Sequence, residues 1–268
     1  GNVWPINPHR KSIAGYKCFQ DISDLPGVPD TAFIGVNRTK TLEILTKLNE
    51  VGCGGATCFA AGFSEVDKYG KQLQKKLSKA SKDMPFLGPN CYGYINYLDH
   101  IHMWPDQHGG KEVEKGVAII AQSSNIAINL TMNTRSTPIA YVLTTGNQAK
   151  IDMSDLGLAM INDKRVTAIG IYIEGFKDIK KFEKMAFSAL RSNIPIVVLK
   201  SGKTDLSKKQ SFSHTASITG DSDISSAYLK RLGIVEVDDL ELFLETLKVL
   251  NFNGRSVSYT HLTLPTRS

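Results

Sequence analysis

The chain has 268 residues, 41% of them hydrophobic and 22% charged, a composition that excludes disorder and leaves room for one large domain or two of roughly 100–150 residues. Lysine and arginine (32) outnumber aspartate and glutamate (26), but apart from Lys75-Lys76 and Lys208-Lys209 the excess is scattered. With no basic stripe and no interleaved aromatics, nucleic acid is not an expected partner, whereas a phosphate-rich small molecule suits the surplus. No apolar run approaches the ~18–20 residues of a membrane span and no signal peptide opens the chain, so no membrane partner is expected. The four cysteines, Cys18, Cys53, Cys58 and Cys91, form no C-x-x-C pair, and this pattern predicts a cytoplasmic protein without a disulfide scaffold.

The opening "GNVWPINPHR" has no initiator Met and reads as strand-like from its first residues, as though a segment were missing upstream. From there, apolar runs alternate with amphipathic ones. "TAFIGV" (31–36) predicts a strand, and Leu42, Leu45, Leu48 and Val51 fall at helical spacing before a stop at Gly52. "GATCFA" (55–60), a Lys-rich helix around 67–82 and "MPFLGPN" (84–90) continue a β-α-β-α-β series, which implies a parallel sheet covered by helices. The stretch 99–116, "DHIHMWPDQHGGKEVEKG", breaks the pattern and reads as a linker.

A second series then begins: strands at 116–122, 138–144, 166–175 and 194–200, with helices near 124–134, 152–161, 178–191, 221–232 and 238–250. The expected fold class is therefore α/β with two parallel-sheet domains: residues 1–100, a linker at 101–115 and residues 116–255. The last residues, 256–268, include "VSYTHLTLPT", which has no periodic link to the preceding helix and matches an in-frame translation of a transposase sequencing adapter; they are expected to be non-native.

In open parallel sheets, ligands bind beyond the carboxyl ends of the strands, and the turns there are polar and glycine-rich in this sequence. "AQSSN" places Gln122, Ser123, Ser124 and Asn125 at the start of a helix, where N–H groups and hydroxyls favour an anion, although Ser123 or Ser124 serves equally as an N-cap. Glu174 ends an otherwise apolar strand. It can hold a histidine Nδ1–H and leave Nε2 free to attack phosphorus, or it can be a solvated strand-end acid. In "SFSHTASITG", His214 lies among hydroxyls and small residues and is either a loop histidine or a nucleophile. His100, His102 and His108 lie in the linker without a metal-ligand pattern, so no metal site is expected. Cys91 is a thiol without a neighbouring histidine.

Taken in order, "PINP", "DLPGVPDTAFIGV", "AGFSE", "GPNCYGYIN", "AQSSN", "TTGN", "YIEG", "PIVVLKSGK" and "SHTASITG" resemble the CoA-binding and ligase domains of the NDP-forming acyl-CoA synthetases, relatives of the succinyl-CoA synthetase α subunit. The resemblance covers roughly residues 3–250. It implies an N-terminally truncated Rossmann-like CoA-binding domain followed by a flavodoxin-like ligase domain. It also implies an acid–CoA ligase reaction through an acyl phosphate, with His214 as the phosphohistidine, Glu174 holding its ring, and Gln122, Ser123, Ser124 and Asn125 at the phosphate site. Asn7, Pro8, Val36, Asn90 and Cys91 fall in turns that line CoA. ATP or ADP with Mg2+ would bind an ATP-grasp domain or β-type subunit outside this chain, in an oligomer that takes a small carboxylic acid. Three positions depart from the family pattern: the glycine-rich loop after its first strand is missing, Ser124 replaces the glycine of "Q-S-G", and Ala216 replaces the glycine of "S-H-T-G". Two rival readings are a ligand-sensing domain of a protein lysine acetyltransferase and a non-enzymatic CoA-binding module.

Overall fold

A computed structural model of the chain describes residues 1–133, 135–201 and 222–254. His214 and the 256–268 tail lie outside the described residues. The expected opening strand is reduced to one parallel bridge, Ile6 with Phe19, beside a short antiparallel hairpin of β1 (Ser12–Ile13) and β2 (Tyr16–Lys17). The first parallel sheet follows, in the order β3 (Ala32–Ile34), β4 (Ala56–Cys58), β5 (Phe86–Leu87), with α1 (Arg38–Glu50) and α2 (Lys68–Ala80) as its crossovers. Each helix begins where an Asn or Asp side chain accepts from a backbone N–H of the first turn: Asn37 from Lys40, Asp67 from Gly70. The helical spacing seen in the sequence is realised as a buried stripe: Leu45 and Leu48 of α1 meet Leu73 and Leu77 of α2 in a core closed by Ile34, Phe63 and Phe86.

The second sheet has seven strands. Five are parallel: β8 (Gly116–Ala121), β9 (Ile139–Thr144), β10 (Val166–Ile173), β11 (Ile196–Lys200) and β12 (Val235–Val237), arranged β12-β11-β10-β8-β9. Counted from the first of them, this is the 2-1-3-4-5 order of flavodoxin-like folds. Helices α4 (Met153–Asn162) and α5 (Ile179–Arg191) cover one face, where Met153, Phe182 and Met185 pack on Ile120 and Ile171. Helices α3 (Ser124–Thr131) and α7 (Leu240–Asn253) cover the other, with Leu130, Phe243 and Leu247 against Ile119 and Val197. Helix α6 (Ser222–Arg231) precedes β12. Every residue of β8 and β9 is buried, as expected of strands covered on both faces. No helix among the described residues is long and apolar enough to cross a membrane.

The stretch expected to close the first domain and link it to the second is built into the second sheet. Strands β6 (Tyr94–Asn96) and β7 (Ile101–Met103) form an antiparallel hairpin that extends the sheet beyond β9, with Ile95 opposite Val142 and His102. Composition hid this because the strands are three residues long and the turn between them is made by Asn96, whose carboxamide oxygen accepts from the N–H groups of Leu98 (2.9 Å) and Asp99 (3.1 Å). The chain thus crosses between sheets at Gly88–Gly93, not at 101–115. At Gly93 (φ +106°) a Cβ would lie 2.2 Å from the Met103 carbonyl, so only glycine passes there.

A seam joins the two sheets. After β9 the backbone runs along the β5 end: Asn147 N donates to Pro89 O (2.9 Å), Ala149 N to Gly88 O (2.8 Å) and Ile151 N to Phe86 O (3.3 Å). Gly146 (φ +51°) fits because a Cβ there would lie 2.3 Å from the carbonyls of both Pro89 and Asn90. The Asn147 side chain donates to Glu65 Oε2 (2.5 Å) and Gln74 Oε1 (3.0 Å) and accepts from Asn90 Nδ2 (3.4 Å). Those same acceptors are fixed in turn, Glu65 by the N–H groups of Gly62 and Phe63, and Gln74 by that of Ser64. Removing this one carboxamide leaves several half-buried polar groups unpaired. Asn147→Ala is therefore expected to cost about 1–3 kcal/mol in urea unfolding, with the denaturant slope unchanged.

A further tie, within the second domain, is ionic. Arg165 reaches Asp99 in the β6–β7 turn (2.7 Å) and Asp163 (2.9 Å), and Asp163 also accepts from the Tyr141 hydroxyl (2.7 Å). The Arg165 guanidinium holds the Asp163 carboxyl at about 2 against its usual 3.8. A lowered acid pKa means that this stabilisation is complete above the unfolded value and is lost as pH falls through the folded one. Stability is thus expected to decline between pH 3.8 and about 2, by about 2 kcal/mol from this group. Asp163→Asn, compared by denaturant titration at several pH values, should flatten the decline.

Candidate active site

The switch point of the second sheet lies between β8 and β10, whose connections leave in opposite directions, and in open parallel sheets this is the place where ligands bind beyond the carboxyl ends. Gln122 and Glu174 end these two strands. The carboxamide oxygen of Gln122, a buried side chain, accepts from the backbone N–H groups of Glu174 (2.5 Å) and Gly175 (3.0 Å), while the backbone N–H of Gln122 donates to the Tyr172 carbonyl (3.2 Å). Gln122 thus fastens the two strand ends together, and its oxygen is spent on that task. Glu174 is half-buried at the same switch point. Its carboxylate, together with burial as the larger cause, pushes the neighbouring Tyr172 phenol upward.

Ser123 caps α3, accepting from Ile126 N (3.5 Å), so the capping and anion-site readings describe one place. Ser124 begins the helix, and its hydroxyl accepts from the Tyr92 N–H (3.1 Å). The serine that departs from the family glycine therefore ties the α3 start to the turn after β5. Asn125 is exposed on the first turn. The structure brings Gln122, Ser123, Ser124, Asn125 and Glu174 together; His214 lies outside the described residues. On the preceding strand, Lys200 is buried and donates to Ser225 Oγ (2.7 Å), which anchors the end of β11 to α6.

Among the residues expected to line CoA, Val36, Asn90 and Cys91 follow the carboxyl ends of β3 and β5. Val36 is 37% exposed, and Asn90 takes a left-handed backbone (φ +59°) in which its N–H donates to Ala60 O (2.9 Å). These turns fit a ligand lying across the first sheet's carboxyl edge. Asn7 and Pro8 are placed differently: Asn7 N donates to Phe19 O (2.9 Å), its side chain accepts from His9 N (2.9 Å), and Pro8 is exposed.

Cys91 presents no reactive thiol. It is 1% exposed, its Sγ lies 3.9 Å from the Cys58 carbonyl, and burial pushes its thiol up to about 12. Such a group is protonated at neutral pH and is no nucleophile, so only its backbone can border a ligand. The other three cysteines are also buried free thiols. The histidines of the 99–116 stretch are engaged with neighbours: His108 Nδ1 with the Tyr97 hydroxyl (3.0 Å), His100 with Glu112 (2.8 Å), and the rings of His102, in β7, and His108 edge to face at 4.8 Å. Among the described residues no three ligating side chains converge on a metal position.

The sequence reading missed the seam. "AGFSE" and "TTGN" were visible as turns, but the bond from Asn147 to Glu65 spans 82 residues and carries no local signal. In a labelling experiment with iodoacetamide at pH 8, Cys91 is expected to stay unmodified in the folded chain and to react only after unfolding, as read by peptide mass spectrometry.

The acetate–CoA ligase [ADP-forming] of Methanocaldococcus jannaschii is 32% identical over 256 residues, covering 94% of this chain and 35% of that protein. The α subunit of acetate–CoA ligase [ADP-forming] II from Pyrococcus furiosus is 29% identical over 90% of this chain and 53% of its own length. The apo structure of acetyl-coenzyme A synthetase 1 from Ca. Korarchaeum cryptofilum superposes with a TM-score of 0.82 at 30% identity, over 94% of this chain and 55% of that one. The chain thus spans between about a third and about half of the length of the curated relatives it matches. Residues 1–97 match a CoA binding domain, residues 114–250 match the succinyl-CoA ligase like flavodoxin domain, and the chain belongs to that ligase family.

Proposed function

We propose that this chain supplies the CoA-binding and phosphoryl-relay half of an acid–CoA ligase that converts a carboxylate, CoA and ATP to acyl-CoA, ADP and phosphate. The observation that carries the reading is the Gln122 staple, which holds Glu174 and the capped start of α3 at one switch point. In this reading the Glu174 carboxylate accepts the Nδ1–H of His214 and leaves Nε2 as the nucleophile, and the α3 start receives the phosphoryl oxygens.

The relay runs in three steps, of which the first is attack of His214 Nε2 on the γ-phosphorus of ATP, which breaks the P–O bond, expels ADP and leaves the phosphoryl group on Nε2. A substrate carboxylate oxygen attacks the phosphorus on His214 Nε2; the P–N bond breaks, the imidazole is released and an acyl phosphate forms. The CoA thiolate then attacks the acyl carbon and expels inorganic phosphate. CoA lies along the turns that carry Val36, Asn90 and Cys91. The nucleotide with its Mg2+ belongs to an ATP-grasp domain or β-type subunit, so the working enzyme is an assembly of more than this segment. The substrate is a small carboxylic acid.

The test is phosphoryl transfer in the reverse direction. Incubated with acetyl phosphate or benzoyl phosphate, the chain is expected to gain a base-stable, acid-labile phosphoryl group on His214. His214→Asn should abolish the label without changing the circular dichroism spectrum, and Glu174→Gln should slow labelling by about 10- to 100-fold. Absence of the label with both donors, or its survival in His214→Asn, would falsify the assignment.

A further inference from the structure

Lys177 stands three residues beyond Glu174, in the turn between β10 and α5. Its amino group donates to the carbonyl of Gln148, in the turn that follows β9. That turn rests on the end of β8: Thr145 N donates to Ala121 O (3.0 Å), and Gln148 N donates back to Thr145 O (3.0 Å). Because β8 lies between β9 and β10 in the sheet, the Lys177 side chain spans the width of β8 at its carboxyl end, on the side covered by α4 and α5. Gln122 and the capped start of α3 follow directly from the same strand end. The acids nearby are committed elsewhere. Lys181 takes Asp152 (2.9 Å) and Asp155 (2.5 Å), and Asp178 caps α5 by accepting from Lys181 N (3.0 Å). Lys177 is thus a cation held by a neutral carbonyl, with no carboxylate at ion-pair distance among the described residues.

Under the ligase reading above, on which this inference rests, an acyl phosphate forms at this strand end with its phosphoryl oxygens at the α3 start. Such a mixed anhydride acylates amines as well as thiols, and Lys177 is the amine beside it. Desolvation, helped by the Lys181 ammonium and opposed by Asp152, Asp155 and Asp178, lowers its pKa from the usual 10.5, so that more of it is neutral and nucleophilic than of an ordinary lysine. The residue is nonetheless exposed, and its amino group can leave Gln148 and turn to an acyl carbon. We propose that Lys177 is a self-acylation site, modified by the acyl phosphate when no CoA thiol is there to take the acyl group. The Nζ lone pair attacks the carbonyl carbon; the C–N bond forms, the C–O bond to phosphate breaks with its electrons going to phosphate, and the Nζ proton passes to the departing phosphate. The product is an uncharged amide. Acylation therefore removes the cation next to the phosphate site, and a chain left with unused acyl phosphate loses affinity for it.

The modification can be read on the 268-residue chain without turnover. After incubation with acetyl phosphate at pH 8, peptide mass spectrometry is expected to find Lys177 acetylated about tenfold faster than Lys68, Lys71, Lys75, Lys76 and Lys79, the exposed lysines of α2, which serve as internal controls. Excess inorganic phosphate should slow the reaction at Lys177 and leave the α2 lysines unaffected, because only Lys177 is acylated by a donor seated at a phosphate site. In 8 M urea the preference should vanish, and Lys177→Arg should remove the modified peptide while the α2 rates stay the same. Equal rates at Lys177 and on α2, or a Lys177 rate that phosphate does not change, overturns the proposal. The two readings fail separately. A phosphoryl group on His214 without acetyl-Lys177 removes the acylation site and leaves the ligase; acetyl-Lys177 with phosphate protection but no phosphoryl label removes the relay and keeps the acyl phosphate site. His214→Asn is expected to retain acetyl-Lys177.

Discussion

The seam between the β9 turn and the β5 end is the constraint on which the rest of this molecule depends. Each sheet ends in a set of polar turns, and the two sets can line one site only if the two carboxyl edges are held side by side. Backbone bonds from Asn147, Ala149 and Ile151 to Pro89, Gly88 and Phe86 fix that geometry, and the absence of a side chain at Gly146 allows the two backbones to come close enough to make them. The crossing hairpin β6–β7 supports the same arrangement from the other side, because strands that follow the first sheet directly in the chain are hydrogen-bonded into the second.

Within the second domain, the chemistry is organised by strand order. Because β8 and β10 are neighbours while their helices depart to opposite faces, their ends form the switch point, and Gln122 spans it. The glutamine gives up its acceptor to the backbone of Glu174 and Gly175, so the main chain that carries the acid is fixed at the end of β10. Ser124 plays the equivalent part toward the first domain: its hydroxyl receives the Tyr92 N–H, linking the helix start to the turn that follows β5. The polar groups of the cleft thus form a continuous scaffold in which several of the residues with the greatest chemical interest are held by their backbones.

Burial changed the meaning of some residues that looked reactive on paper. Cys91 stands in a turn at the cleft edge, but its side chain points into the core against the Cys58 carbonyl, and desolvation keeps its thiol protonated. Tyr92, the next residue, faces the opposite environment and meets the rings of Phe59 and Trp104. Adjacent positions in one turn therefore differ in their surroundings according to the direction in which each side chain leaves the backbone.

The sequence by itself determined the helices, most of the longer strands and the polar turns between them. The periodicity that placed Leu42, Leu45 and Leu48 is a local property, as is the cap at Ser123. The neighbourhood of Glu174 and "AQSSN" was legible for the same reason, since strand-end turns follow from the alternation of elements. Tertiary structure alone decided the rest: strands β6, β7 and β12 are three residues long and are defined by their partners, and the bonds of Asn147 and the contacts among the rings of Phe33, Phe59, Tyr92 and Trp104 join residues far apart in the chain. A local pattern records what a residue needs from its nearest neighbours; which distant group satisfies that need is fixed only when the two sheets are brought together.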